Sequence, residues 1–125
     1  MQRNPVGWFE LYVNDMPRAR RFYEQVLGVT LAPLQGADPA VVLWAFPGDP
    51  AGAGATGALV QMAGVAPGGG GTLVYFSCED CGEMAARAAA SGGQIQRPKF
   101  AIGPYGFIAL VSDSEGNLIG LHSLR

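Results

Sequence analysis

The sequence predicts an α+β domain made of two tandem βαβββ modules, and three observations carry that prediction. The chain repeats itself: residues 6–33 lie over residues 71–98, without a gap, at a constant offset of 65. In both copies a strand runs through an Asp into a helix that stops at glycine. After each strand–helix–strand unit come two more apolar runs separated by turn-forming residues. Asp15 falls on Asp80, Gly28 on Gly93 and Pro33 on Pro98.

The first strand is GWFELYVND, residues 7–15. Alternation puts Phe9, Leu11 and Val13 on one face and Trp8, Glu10 and Tyr12 on the other. The first face reads as core. The second sets two large aromatics around a carboxylate. The helix that follows has Asn14 or Asp15 as its cap and Pro17 in its first turn. Ala19, Phe22, Tyr23, Val26 and Leu27 form its apolar stripe, which leaves Arg18, Arg20 and Arg21 on a solvated face. Gly28 suits the left-handed position that ends a helix.

Further strands are expected at 40–46 and 57–62, around the loop PGDPAGAGAT. The second copy offers a strand ending near Cys78, an alanine-rich helix over about 81–91 that stops at Gly92–Gly93, and strands at 106–113 and 116–123 joined by DSEG. APGGGGT, residues 66–72, connects the copies as a flexible link. It is followed by a strand, whereas a phosphate-binding loop opens a helix. The chain reads as one domain, with module one at about 4–65 and module two at about 71–125. Either module alone leaves a sheet face bare. Two modules, from one chain or from two, can build a cupped mixed sheet with helices outside and a pocket on the concave side.

Composition narrows the function. The 125 residues are 49% hydrophobic and 14% charged, which excludes disorder and leaves surface that a partner subunit can cover. A net charge of −2 argues against an electrostatic nucleic-acid or membrane binder. No apolar run has the length of a membrane span, and the start of the chain lacks the apolar core of a leader peptide. A cytoplasmic protein is the expectation. Cys78 and Cys81 form a Cys-x-x-Cys pair. With no second pair or His pair to complete a zinc site, packing thiols are the simpler reading.

FELYVNDMPRARRFYEQVLG in copy one resembles the vicinal oxygen chelate superfamily, which includes glyoxalase I, bleomycin-resistance proteins and extradiol dioxygenases. So do YFSCEDCGEMAARAAASGGQI and GPYGFIALVSDSEGNLIGLHS in copy two. The resemblance covers nearly the whole chain. It implies paired βαβββ modules, often in a dimer, and a small-molecule cavity faced by Trp8, Glu10 and Tyr12. The superfamily's metal enzymes carry ligands at positions that here hold Trp8, Leu73 and Gly120. A fourth position, counted loosely from Gly57, falls on Gln61. Those side chains cannot make a metal site, so no metal cofactor is expected at the usual place.

Two further groups stand out. His122, the single histidine, lies two residues beyond Gly120 and so on its side of the strand. If the first and last strands are neighbours, Glu10 and His122 can approach as a general acid–base pair; the plainer alternative is that Glu10 simply fixes His122. Tyr75 and Ser77 reach the cavity face through the offset, and Trp44 and Gln61 are further candidate lining residues. Tyr105 and Phe107 in GPYGFI, flanked by Gly-Pro and Gly, are a candidate lid. Function divides three ways: a metal-free small-molecule binder, a glyoxalase-type lyase or isomerase (metal-free or with a relocated metal), or an interaction module whose cup is filled by its own side chains.

Overall fold

The structure, a computed structural model, describes residues 3–125. Met1 and Gln2, the first residues of the stretch read for a leader, lie outside the described residues. The elements follow the expected order: β1 (Val6–Tyr12), α1 (Met16–Leu27), β2 (Ala32–Leu34), β3 (Val42–Ala45), β4 (Thr56–Gln61), β5 (Thr72–Ser77), α2 (Cys81–Ala90), β6 (Gln94–Ala101), β7 (Phe107–Ser112) and β8 (Leu118–Ser123). A 3-10 turn at Gly103–Tyr105 precedes β7.

The chain divides into two compact units, 8–72 and 73–125, the second taking in the described residues up to Gly7. Their topologies match. The first unit has the strand order β2-β3-β4-β1, with β1 parallel to β4 and the remaining pairs antiparallel. The second has β6-β7-β8-β5, with β5 parallel to β8. The internal repeat is thus a repeat of strand pairing as well as of element order.

Local chemistry explains where the helices begin and end. Asp15 caps α1 by accepting from the Arg18 N–H at 3.0 Å, and Gly28 closes it with φ 67°. Asp80 caps α2, accepting from the Gly82 N–H at 2.9 Å and from Lys99 Nζ at 3.0 Å. Both bonds hold the Asp80 carboxyl below the usual carboxylate range, the Lys99 bond first. Its charged form therefore stabilises the fold above an ordinary pKa of 3.8, and that contribution is lost as pH falls through the lowered folded value. Chemical denaturation of Asp80→Asn across the acid range is expected to show a shallower loss of stability below about pH 4 than wild type. An unchanged acid limb would contradict this.

Each helix covers one face of its own strands. Under α1 lie Met16, Leu31 and Leu59, with Leu11, Val13, Ala19, Tyr23, Val29, Trp44 and Phe46 around them. Under α2 lie Cys81, Ala85, Ala109, Val111 and Leu121. The buried stripe of α1 is narrower than its sequence pattern. Ala19 and Tyr23 pack inward, but Phe22, Val26 and Leu27 are more than half exposed. Arg20 takes a place on the packed side: its guanidinium lies 3.5 Å over the Trp44 ring and pairs with Glu24. An arginine stem can cover apolar surface while its head stays polar, so a charge in the pattern did not mean a solvated position.

Candidate functional site

Trp8, Glu10 and Tyr12 project from the face of β1 opposite the α1 core. Their spacing of two brings them together. The Trp8 indole N–H donates to Glu10 Oε2 at 3.1 Å, and the Tyr12 hydroxyl donates to Glu10 Oε1 at 2.7 Å. One strand thus holds a carboxylate with each oxygen fixed by an aromatic donor. Burial pushes the Tyr12 phenol far up, and the charge of Glu10 and the hydrogen bond to it add to the shift.

Module two presents the equivalent face, opposite α2, through β5 and β8. Tyr75 is paired with Gly120 and Ser77 with His122. Tyr75 is buried, and its ring lies directly against Gly120; a Cβ built on that glycine would run into the ring. The His122 Nε2 is 2.6 Å from the Tyr105 carbonyl oxygen. A carbonyl only accepts, so Nε2 carries the proton and Nδ1 holds the lone pair of the neutral ring. Tyr105 therefore meets His122 through its backbone, at the end of the 3-10 turn. Glu10 belongs to one compact unit and His122 to the other.

Two candidate lining residues face the other way. Trp44 pairs with Leu59 and packs in the α1 core under Arg20. Gln61 accepts the Met16 backbone N–H through Oε1 at 3.0 Å, at the first turn of α1. Register also replaces Gln61 as the module-one counterpart of Gly120. Glu10 pairs with Ala58 in β4 as Tyr75 pairs with Gly120 in β8, so the counterpart is Ala58. Counting from Gly57 failed because that glycine lies inside β4; the glycine that corresponds to Gly116 (φ 86°) is Gly54 (φ 85°), four residues before Ala58. The four positions that correspond to the superfamily's ligands therefore hold Trp8, Ala58, Leu73 and Gly120. Among the described residues no three His, Cys, Asp or Glu side chains gather closely enough to hold a metal ion.

The Asp113–Asn117 turn is built by its own side chains. Asp113 Oδ1 accepts the N–H groups of Glu115 and Asn117, each at 2.9 Å, and Gly116 takes φ 86°. This turn sets the register of β8, and so the side to which His122 points. The cysteines are free, with Cys81 fully buried in the α2 core and Cys78 packed against it. Burial pushes the Cys78 thiol up, with Cys81 and Asp80 adding to the shift. A suppressed thiolate fits packing and does not fit a redox nucleophile.

One feature of the face gave no direct sequence signal. On β6, Arg97 pairs with Leu110 and Phe100 pairs with Ile108, although Phe100 is three positions after Arg97, an odd spacing that regular alternation would put on opposite faces. Irregularities on both sides of Arg97 put the two side chains on one face, and the guanidinium lies 3.6 Å over the Phe100 ring. Pro98 inside an apparent strand was the available hint.

A family model for the Glyoxalase/Bleomycin resistance protein/Dioxygenase superfamily matches residues 6–121. No curated protein matches the chain. Among solved structures, methylmalonyl-CoA epimerase from Mycobacterium tuberculosis superposes with a TM-score of 0.66 at 17% identity, covering 97% of this chain and 88% of that one. An uncharacterized protein from Methanosarcina mazei gives 0.63 at 18% identity, over 98% and 94% of the two chains. A hypothetical protein from Bacillus halodurans gives 0.70 at 13%, over 99% and 96%. These likenesses show the fold. No helix among the described residues is long and apolar enough to cross a membrane. With the family model spanning nearly its whole length, the chain belongs to the glyoxalase/bleomycin resistance protein/dioxygenase superfamily.

Proposed function

We propose that each module offers a small organic molecule a sheet face, that of Trp8, Glu10 and Tyr12 in module one and that of Tyr75, Ser77 and His122 in module two, without a metal at the superfamily's usual positions. The observation that carries this reading is Tyr75 lying against Gly120. In this superfamily an acidic ligand stands at that position; here an aromatic ring takes the space the side chain would need. Trp8, Ala58 and Leu73 offer no metal donor at the other positions, so the residues present do not fit the metal. Aromatic surface interrupted by a few fixed polar groups suits a planar or apolar ligand. A cytoplasmic homodimer belongs to the same reading; the exposed apolar residues of α1 supply surface that a second copy can cover.

A second reading, a metal-free lyase or isomerase of glyoxalase type, has one observation in its favour. The Tyr105 carbonyl fixes the His122 proton on Nε2, so Nδ1 is available as a base in the neutral ring. A solved relative by fold is methylmalonyl-CoA epimerase, and an epimerisation also moves a proton. Loss of turnover in His122→Gln with ligand affinity retained would support this reading over simple binding.

The two tryptophans provide the test of binding. Trp8 lies on the proposed face and Trp44 lies in the α1 core, so Trp44→Phe leaves Trp8 as the only indole reporter. Titrating that variant with a library of small aromatic and acyl compounds is expected to give saturable changes in emission for at least one chemical class. Purely collisional, non-saturating quenching by every class would sink the proposal.

A further inference from the structure

We infer that Arg97 is the anion-recognising residue of the module-two face, and that the ligand is an organic acid: a carboxylate or phosphate monoester on an apolar or aromatic body. The inference rests on the small-molecule reading above and specifies its ligand class. Arg97 is exposed, and its guanidinium stacks on the Phe100 ring. Three other basic side chains lie beside carboxylates: Lys99 by Asp80, Arg20 by Glu24 and, fully in solvent, Arg125 by Glu79. A guanidinium laid flat on a ring keeps its edge donors available and loses little freedom when it takes up a second, planar partner. Carboxylate and phosphate oxygens match that fork in a bidentate way.

Placement supports the same conclusion. The register of β6, β7, β8 and β5 lines up Arg97, Leu110, Gly120 and Tyr75 in one row across the sheet, and Phe100, Ile108, His122 and Ser77 in the next. Gly120 contributes no side chain, so the Arg97 row has aliphatic and aromatic surface beside a cation. The second row adds an imidazole and a hydroxyl. The strand irregularities on both sides of Arg97 are what turn it onto this face; bulges of this kind re-aim side chains next to binding sites. A charge on an edge strand also discourages edge-to-edge association. That role, however, needs neither the stack nor this face.

The test uses phenylacetate, phenyl phosphate and neutral phenylacetamide, titrated into isotope-labelled protein by two-dimensional NMR. A carboxylate or phosphate probe is expected to shift amides in 73–77, 97–100, 108–110 and 120–122. It should bind on the order of tenfold more tightly than the amide, with affinity falling as salt rises. Arg97→Gln should bring the anion down to the level of the amide. Arg97→Lys should recover only part, since an ammonium is not a fork. Response to phenylacetate alone assigns a carboxylate, and response to phenyl phosphate alone a phosphate monoester. Equal binding of anion and amide, or unchanged anion binding in Arg97→Gln, overturns the role of Arg97 while leaving the small-molecule reading standing. No shift on this face with any of the three probes overturns the inference. Should the library also give no saturable change at Trp8, the binding reading falls with it.

Discussion

Gly120→Ala is expected to destabilise the protein by about 1–3 kcal/mol, the usual cost of forcing extra volume into packed surroundings. In an ordinary strand the same change is favourable by roughly 0.5–1 kcal/mol, because alanine has less chain entropy to lose. The sign reverses here because the new methyl group meets the Tyr75 ring. Gly120→Glu, which restores the superfamily's acidic side chain, should cost more still and yield little folded protein. The decisive experiment is a double-mutant cycle by urea denaturation. Tyr75→Ala alone removes a buried aromatic, at about 3–5 kcal/mol. In the Tyr75→Ala background, Gly120→Ala should cost nothing or stabilise, giving a coupling between the two sites on the order of 1–3 kcal/mol. Additive effects would show that Tyr75 does not fill the space above Gly120.

Glu10→Ala should cost about 2–4 kcal/mol, because two hydrogen bonds to a charged acceptor are lost and the Tyr12 hydroxyl is left largely buried without its carboxylate. The same cluster predicts a signature at high pH. The folded Tyr12 pKa lies above its ordinary value of 10.0, so the fold favours the neutral phenol. The stability this gives is complete below 10.0 and is lost as pH rises beyond it. In a spectrophotometric titration of the four tyrosines, the Tyr12 phenol should resist ionisation until the protein unfolds. Tyr12→Phe should remove that late step. Glu10→Gln should shift it to lower pH, because the negative charge that raises the phenol is gone while the side chain keeps its shape. A late step of undiminished amplitude in Tyr12→Phe would mean that Tyr12 does not contribute to it.

The contrast between what the sequence revealed and what it hid follows the range of the interactions. The caps Asp15 and Asp80, the glycine stop at Gly28 and the Asp113–Asn117 turn are made by neighbours in the chain, and each is readable from a few residues. The face of β1 was readable for the same reason: strict alternation places Trp8, Glu10 and Tyr12 together, although their mutual hydrogen bonds came only with the geometry. Residues whose position depends on register behaved differently. Gln61 points to the α1 side and caps the helix start because β4 is aligned on β1 by Glu10–Ala58 pairing, and a count from Gly57, which lies inside β4, misses that. Trp44 sits in the core because β3 is aligned on β4 by Trp44–Leu59 pairing, which puts it on the Leu59 side. Arg97 and Phe100 share a face only because β6 is irregular between them. Tyr75 and Gly120 lie 45 residues apart in the chain, and strand pairing alone brings the ring against the glycine.

The central claim is that this member of the superfamily works without the metal its fold usually carries. Metal content per chain tests it most directly. Tag-free protein would be measured by elemental mass spectrometry before and after incubation with zinc, nickel, iron(II) and manganese, followed by dialysis. The account predicts substoichiometric metal under every condition, with no change in Glu10→Gln or His122→Gln. One metal ion per chain, retained through dialysis and lost in either variant, would contradict it and place a relocated metal site at Glu10 or His122.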